Sequence, residues 1–397
     1  MSWLAKITGN KIIKIAYLTG VHLFAVAGLV FIGMFFAIRF KLTNVSGNID
    51  PISETIDGQY KQAEVLGAGI TIASNMGNAD INSIDEQIKR LTAAKEAKET
   101  IMCKLDSLSY SAPKNSLKII ETLKKIPSEK LESAMIGAVE TRMGDLQNYQ
   151  QAVKDCTEHY NSAQINLETI GNRVQNSNSQ DIFWWPEQKE WSDVEASIVK
   201  NKDMIEKAAT TAKIEPRLIV ENLMVEQLRL FYSQRELYKK YFEPLKLLAN
   251  SNKISLGVMA IKEDTARQVE EHLKDPNSPY YLGQENEHLL DYQEGENQDN
   301  TRYSRLTAYN QYYNYLYGAI YLKQMMQQWK NAGFDIDKRP EVVATLFNVG
   351  FPQSKPNANP KVGGSSVKIG EVNYTFGRLA YEFYFSGELN ADFPPQW

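Results

Sequence analysis

Hydrophobic and polar positions divide this chain into stretches of different period. Residues 15–38 read IAYLTGVHLFAVAGLVFIGMFFAI and hold no formal charge. A helix crossing a bilayer needs about 20 such residues. A cleaved signal peptide has an apolar core of only about 7–15 residues ending in a small-x-small site. Phe35-Phe36-Ala37-Ile38-Arg39 is a poor site of that kind, so the stretch predicts an uncleaved single-pass anchor. Through 44–78, Gly47, Gly58, Gly67, Gly69 and Gly77 predict that any long helix is interrupted. Ile81, Ile84, Ile88 and Leu91, then Ala94, Ala97, Ile101 and Leu105, form a narrow apolar seam close to a heptad before it drifts. Pro113 ends that helix, a second is predicted over 116–125, and a third over about 128–174. Together, residues 52–178 read as an antiparallel helical hairpin or small bundle, its seam closed within the chain or by a partner helix.

The polar run QNSNSQ at 175–180 reads as a linker, followed by Phe183, Trp184, Trp185 and Trp191. Such aromatics stack on sugar rings or pack a linker onto a domain. Pro216 then sits where a first helical turn tolerates a missing N–H. Leu218, Ile219, Leu223, Leu228 and Phe231 recur at three- and four-residue steps, predicting a helix with one buried face. Glu226 lies at the edge of that stripe among Leu223, Met224, Val225 and Leu230. A carboxyl held against apolar groups has its charged form disfavoured, which suits a general acid; taken alone, Glu226 also reads as an ordinary solvated helix glutamate. Glu221 is five residues away, about 140° around the helix, and is not expected to share a site with Glu226. Residues 275–300 read as a solvated acidic insertion. The tyrosines from Tyr303 to Tyr321 suit either a saccharide cleft or a helix packed by its aromatic face. A helix from Pro340 is closed by Asn348 and Gly350.

Composition narrows the choice. At 397 residues the chain holds two or three domains, and a net charge of −4 gives no basic signature of nucleic-acid binding. Cys103 and Cys156 are too few for a disulfide framework or zinc ribbon, and read as two thiols or, in an oxidising compartment, one bridge. The four histidines have no ligand spacing, so no metal and no cofactor is expected.

Four pieces occur in a telling order. Ile214-Glu215-Pro216 stands ten residues before Glu226. Ser255-Leu256-Gly257-Val258-Met259-Ala260-Ile261, ending in Thr265-Ala266, comes next. Gly318-Ala319-Ile320-Tyr321-Leu322 and Phe347-Asn348-Val349-Gly350 follow. This pattern resembles the lysozyme-like lytic transglycosylases, and Asn373-Tyr374, expected to open a last helix, resembles the family's final tyrosine. The resemblance covers about half the chain. It implies a mainly α protein whose C-terminal half has the α-helical lysozyme-like fold. It also implies cleavage of the β-1,4 bond between N-acetylmuramic acid and N-acetylglucosamine, with Glu226 as the single acid/base. Ser255, Gly257, Met259 and Tyr321 would line the cleft, Asn348 would orient a turn near the acid, and Tyr374 would hydrogen-bond close to Glu226. The chain departs from the family at Gln227, where Ser is usual, at Ala260, where Gln is usual, and at Phe347, where Tyr is usual.

The organisation expected is a cytoplasmic stretch 1–14, a transmembrane helix 15–38, a periplasmic helical stalk 39–178, a linker 179–192 and a lytic transglycosylase-like domain 193–397. Lys6, Lys11 and Lys14 ahead of the span favour a cytoplasmic amino terminus, hence a bacterial inner-membrane protein with its body in the periplasm. Expected partners are peptidoglycan strands, the inner membrane and envelope proteins along the stalk. A rival reading is a catalytically weak peptidoglycan-binding scaffold in an envelope-spanning complex.

Overall fold

The computed structural model describes residues 11–39, 47–50, 52–74, 84–231 and 255–397. Residues 1–10, Ile81 of the seam and the 235–252 segment lie outside the described residues. The protein is mainly α. Helix α1 (Lys11–Arg39) is long and apolar enough to cross a membrane: its Ile15–Gly33 window has a mean hydropathy of 2.1 and is 0% buried. The chain then forms a two-residue strand β1 (Asn48–Ile49), which pairs antiparallel with β4 (Gly363–Gly364). The chain after α1 thus meets the C-terminal part of the molecule before any helix of the expected stalk begins.

Helix α2 (Ser53–Ser74) runs straight through Gly58, Gly67 and Gly69, against expectation. One of these glycines serves packing rather than interruption: a Cβ on Gly67 would sit 2.1 Å from the Lys130 side chain, whereas one on Gly69 would meet the Ala94 backbone at an ordinary contact distance of 3.9 Å. Helix α3 (Ile84–Ser111) buries the later part of the seam, with Ala94, Ala97, Ile101 and Leu105 inside, while Ile88 and Leu91 are exposed. Helix α4 (Pro113–Lys125) follows the proline break as predicted. The single helix expected over 128–174 is instead three: α5 (Glu129–Glu140), α6 (Leu146–Glu158) and α7 (Leu167–Val174). Ser128, Asp145 and Asn166 cap their starts, and Asn166 with Thr169 forms a capping box. Cys103 of α3 and Cys156 of α6 form a disulfide with Cα atoms 5.6 Å apart, so they are not two free thiols.

The expected linker is packed. Phe183 and Trp185 are fully buried, and Trp185 meets Trp191 at 4.9 Å and Phe383 at 6.0 Å. One connected hydrophobic cluster runs from Ile56 to Phe393, so the helical region and the C-terminal half share a core. Polar ties cross the same boundary. Arg339 pairs with Asp57, Arg142 pairs with Glu382, and Tyr381 donates to Gln59 at 2.8 Å.

Helices α8 (Lys189–Lys200) and α9 (Lys202–Ala212) lead to α10 (Pro216–Phe231). Here the one-face expectation fails: Arg217 to Glu226 are all buried, and Phe231 is exposed. Helix α10 is the central post of the core, enclosed on every side. A tight hairpin β2 (Ser255–Leu256) and β3 (Ile261–Lys262) precedes α11 (Glu263–Lys274). The 275–300 insertion is partly anchored, with Tyr280 and Leu290 buried and Tyr280 bonded to Phe351 O at 3.1 Å. Helices α12 (Gln298–Thr307), α13 (Tyr312–Asn331) and α14 (Pro340–Val349) follow. Tyr315, Tyr317 and Tyr321 are core residues of α13, so the aromatic-packing alternative describes them. A second hairpin, β5 (Ser366–Ile369) with β6 (Val372–Thr375), precedes α15 (Phe376–Phe385). Asn373 and Tyr374 belong to β6, not to the last helix, because Thr375 caps α15.

Candidate functional site

Glu226 lies near the C-terminal end of α10 and is 3% exposed. The apolar surroundings read from the sequence contain a cation: Arg229, one turn on, donates Nη2 to Glu226 Oε2. The Arg229 Nη1 reaches Ser365 Oγ at 3.3 Å, and the Ser365 N–H donates to Asn348 Oδ1 at 2.7 Å. Glu226 and Asn348 are therefore joined by a chain of three polar contacts. Gly364 makes the approach of Asn348 feasible. Its φ is +99°, and a Cβ there would sit 2.9 Å from Asn348 Oδ1.

On the other side, Gln227 donates Nε2 to Val258 O at 2.6 Å, which ties α10 to the β2–β3 turn. That turn is built around Asn314 of α13. Asn314 accepts from Met259 N at 2.8 Å and donates to Leu256 O and Leu306 O at 3.3 and 3.2 Å. Gly257 has φ +66°, and a Cβ on it would lie 2.2 Å from Asn314 Nδ2 and 2.4 Å from Leu306 O. Only glycine fits this left-handed, crowded position. Gly318 has the matching role on α13, since its missing Cβ leaves room for Met259, whose Cε would otherwise be 2.8 Å away. Tyr321 donates to Phe347 O at 3.3 Å, and its ring meets Phe347 at 5.2 Å. The four sequence pieces thus interlock by contact.

The candidate residues are not equally close to the carboxylate. Ser255 is buried in β2 opposite Lys262. Met259 is fully buried and Tyr321 is 3% exposed, so both support the turn from within. Asn348 is linked to Glu226 as described. Tyr374 is elsewhere: paired with Val367 across the β5–β6 hairpin, it carries the Arg142 guanidinium 5.3 Å over its ring. Burial and the nearby Glu382 push its phenol well up. It makes no hydrogen bond to Glu226, so the contact implied by the resemblance is absent. Sequence reasoning missed Arg229, Ser365 and Asn314. Arg229 was legible as the i+3 neighbour of Glu226, whereas nothing in the local pattern marks Ser365 or Asn314.

A second charged group fills the other end of α10. Arg217, fully buried, donates Nε to Tyr384 O, Nη1 to Phe393 O and Nη2 to Phe383 O at 3.0, 2.7 and 2.9 Å. Burial lowers its guanidinium to about 10. Glu221 is fully buried too, and burial followed by Glu215 and Glu341 raises its carboxyl well above the ordinary range. This group is structural and faces away from Glu226, in keeping with the helical angle between the two positions. Comparison of the chain with family models, with characterised proteins and with solved structures finds no match.

Proposed function

We propose that the chain is a membrane-anchored peptidoglycan lytic transglycosylase, cutting between N-acetylmuramic acid and N-acetylglucosamine to leave 1,6-anhydro ends. The observation that carries this reading is the convergence on one carboxylate: Asn348 reaches Glu226 through Ser365 and Arg229, and Gln227 holds the β2–β3 turn beside it. Glu226, released from Arg229 and protonated from solvent, gives that proton to the leaving glycosidic oxygen as the C1–O4 bond breaks. As carboxylate it then takes the proton of the C6 hydroxyl while that oxygen closes the ring. No second carboxylate is required, unlike in two-carboxylate hydrolases. The apolar span of α1, the lysines ahead of that span and the Cys103–Cys156 bridge, a bond of oxidising compartments, support an inner-membrane protein with a periplasmic body.

The Glu226–Arg229 ion pair, buried as it is, favours a second reading: a glycan-binding scaffold with little or no cutting activity. One experiment separates the two. The full chain in detergent, and its Glu226→Gln twin checked for an unchanged melting curve, are incubated with purified sacculi, and released fragments are identified by mass spectrometry. Anhydro-muropeptides from the wild type alone support the enzyme. Reducing ends would mean hydrolysis, and no release with sacculus binding retained would replace the enzyme by the scaffold.

A further inference from the structure

Beside the pairing of β1 with β4 lies a cavity of about 440 Å³, within the range of small-ligand sites, roughly 300–1,000 Å³. Val342, Leu346 and Val349 of α14 give it an apolar floor, and Lys355, Asn357 and Lys361 stand along its polar rim. No Asp or Glu lines it, and neither lysine is in an ion pair among the described residues. In a chain of net charge −4, two uncompensated lysines around an acid-free hollow mark a place for an anion. The rim is held in shape before any ligand arrives. Ser354 Oγ accepts from Trp329 Nε1 at 3.0 Å, Asn357 Nδ2 donates to Lys355 O at 2.9 Å, and Asn357 Oδ1 accepts from Asn359 N at 3.0 Å. Preorganisation of this kind lowers the ordering cost of binding.

The cavity's position restricts the source of the anion. Gly47 lines it, and Gly47 is eight peptide units beyond Arg39, the last residue of α1. A chain of that length spans at most about 29 Å, so the hollow is leashed to the membrane surface. We infer that this cavity binds the phosphate of an anionic lipid headgroup. Lys355 and Lys361 are its counter-charges, and the α14 floor receives the glycerol and first methylenes. The assignment is independent of the role of Glu226 and holds for an enzyme or a scaffold alike.

The test uses the full chain in neutral detergent and follows hydrogen exchange in peptides covering 47–50 and 353–364. Dihexanoyl-phosphatidylglycerol is titrated in, with dihexanoyl-phosphatidylcholine, glycerol phosphate and a chitin oligosaccharide as separate arms. Slowed exchange is expected with phosphatidylglycerol and not with phosphatidylcholine. A lysine at an anionic surface contributes a factor of about five, so a K355Q/K361Q double variant should need about twenty-five-fold more lipid for half-protection. Both lysines are exposed, so the variant keeps its fold. Equal protection by phosphatidylcholine, or an unchanged response in the double variant, overturns the site. Protection by glycerol phosphate at the same concentration keeps the phosphate but overturns the lipid as its source. Protection by the oligosaccharide alone gives the hollow to glycan and overturns the inference.

Discussion

Removing the Cys103–Cys156 bridge is the perturbation whose size is best defined by the fold. The two sulfurs close a loop with a sequence separation of 53. Loop closure of that length removes about 14 cal/mol/K from the unfolded ensemble, or about 4 kcal/mol at 25 °C. Spread over the roughly 350 residues beyond the anchor at about 2.1 cal/mol/K each, this predicts a melting temperature lower by about 5 °C for C103S/C156S. The loss should begin locally. Tyr149 is the buried residue of α6, and its hydroxyl donates to Lys104 O at 3.2 Å. Burial of one such side chain contributes only about 2–3 kcal/mol, so α6 should open before the rest. The assay is differential scanning calorimetry of the full chain with and without reductant, paired with hydrogen exchange across 146–158. Protection from thiol alkylation until reduction verifies the bridge. A shift below about 1 °C, with unchanged exchange in α6, would refute the idea that the crosslink secures this helix.

Three further outcomes follow from other sites. Glu132 is raised from 4.5 to about 7 by burial, then by Glu129, against a smaller opposing pull from Lys98. Its folded pKa lies above its unfolded one, so its stabilising contribution is complete below about pH 4.5 and lost as pH rises through about 7. Glu132→Gln should match the wild type near pH 4 and exceed it by up to about 3 kcal/mol near pH 8 in urea titrations; a gain that is larger at low pH would contradict this. Gly257→Ala forces a Cβ to 2.2 Å from Asn314 Nδ2 at φ +66°, and should cost at least about 2 kcal/mol and impair any sacculus activity; an unaltered melting curve would count against the turn's role. Arg217→Met leaves three buried carbonyls without their donor, and should cost at least about 3 kcal/mol, read as a loss of soluble yield or a lower urea midpoint.

Local grammar accounts for what the sequence made legible. Pro113 and Pro216 open helices, Gly350 closes one, and the uncharged run at 15–38 is a helix of spanning length. Legibility ended where a residue's role depends on a distant partner. Gly67 and Gly69 read as breakers, yet both lie within one continuous helix, and the missing Cβ of Gly67 admits the Lys130 side chain. The periodic run over 128–174 concealed the caps at Asp145 and Asn166, signals that apolar spacing alone does not weigh. Helix α10 looked one-sided because Arg217, Glu221 and Glu226 are polar, and only the tertiary fold supplies acceptors and counter-charges that let such groups be buried. In the site, the contacts between Gly318 and Met259 and between Gly257 and Asn314 explain the glycine positions. Tyr374 shows the limit of motif matching, because one residue of register decides whether it lies on a strand or opens a helix.

The pairing of β1 with β4 also decides what proteolysis would do to this molecule. A Cβ on Gly363 would sit 1.9 Å from Asn48 O, so the two backbones touch and glycine is obligatory there. A cut between Arg39 and Gly47 separates the body from α1 with its short strand still docked. A cut just after Asp50 lets that strand leave and uncovers a glycine edge, which is a template for a strand from another chain. Separation from α1 and self-association would then differ by the placement of a single peptide-bond cleavage, a few residues to one side of β1 or the other.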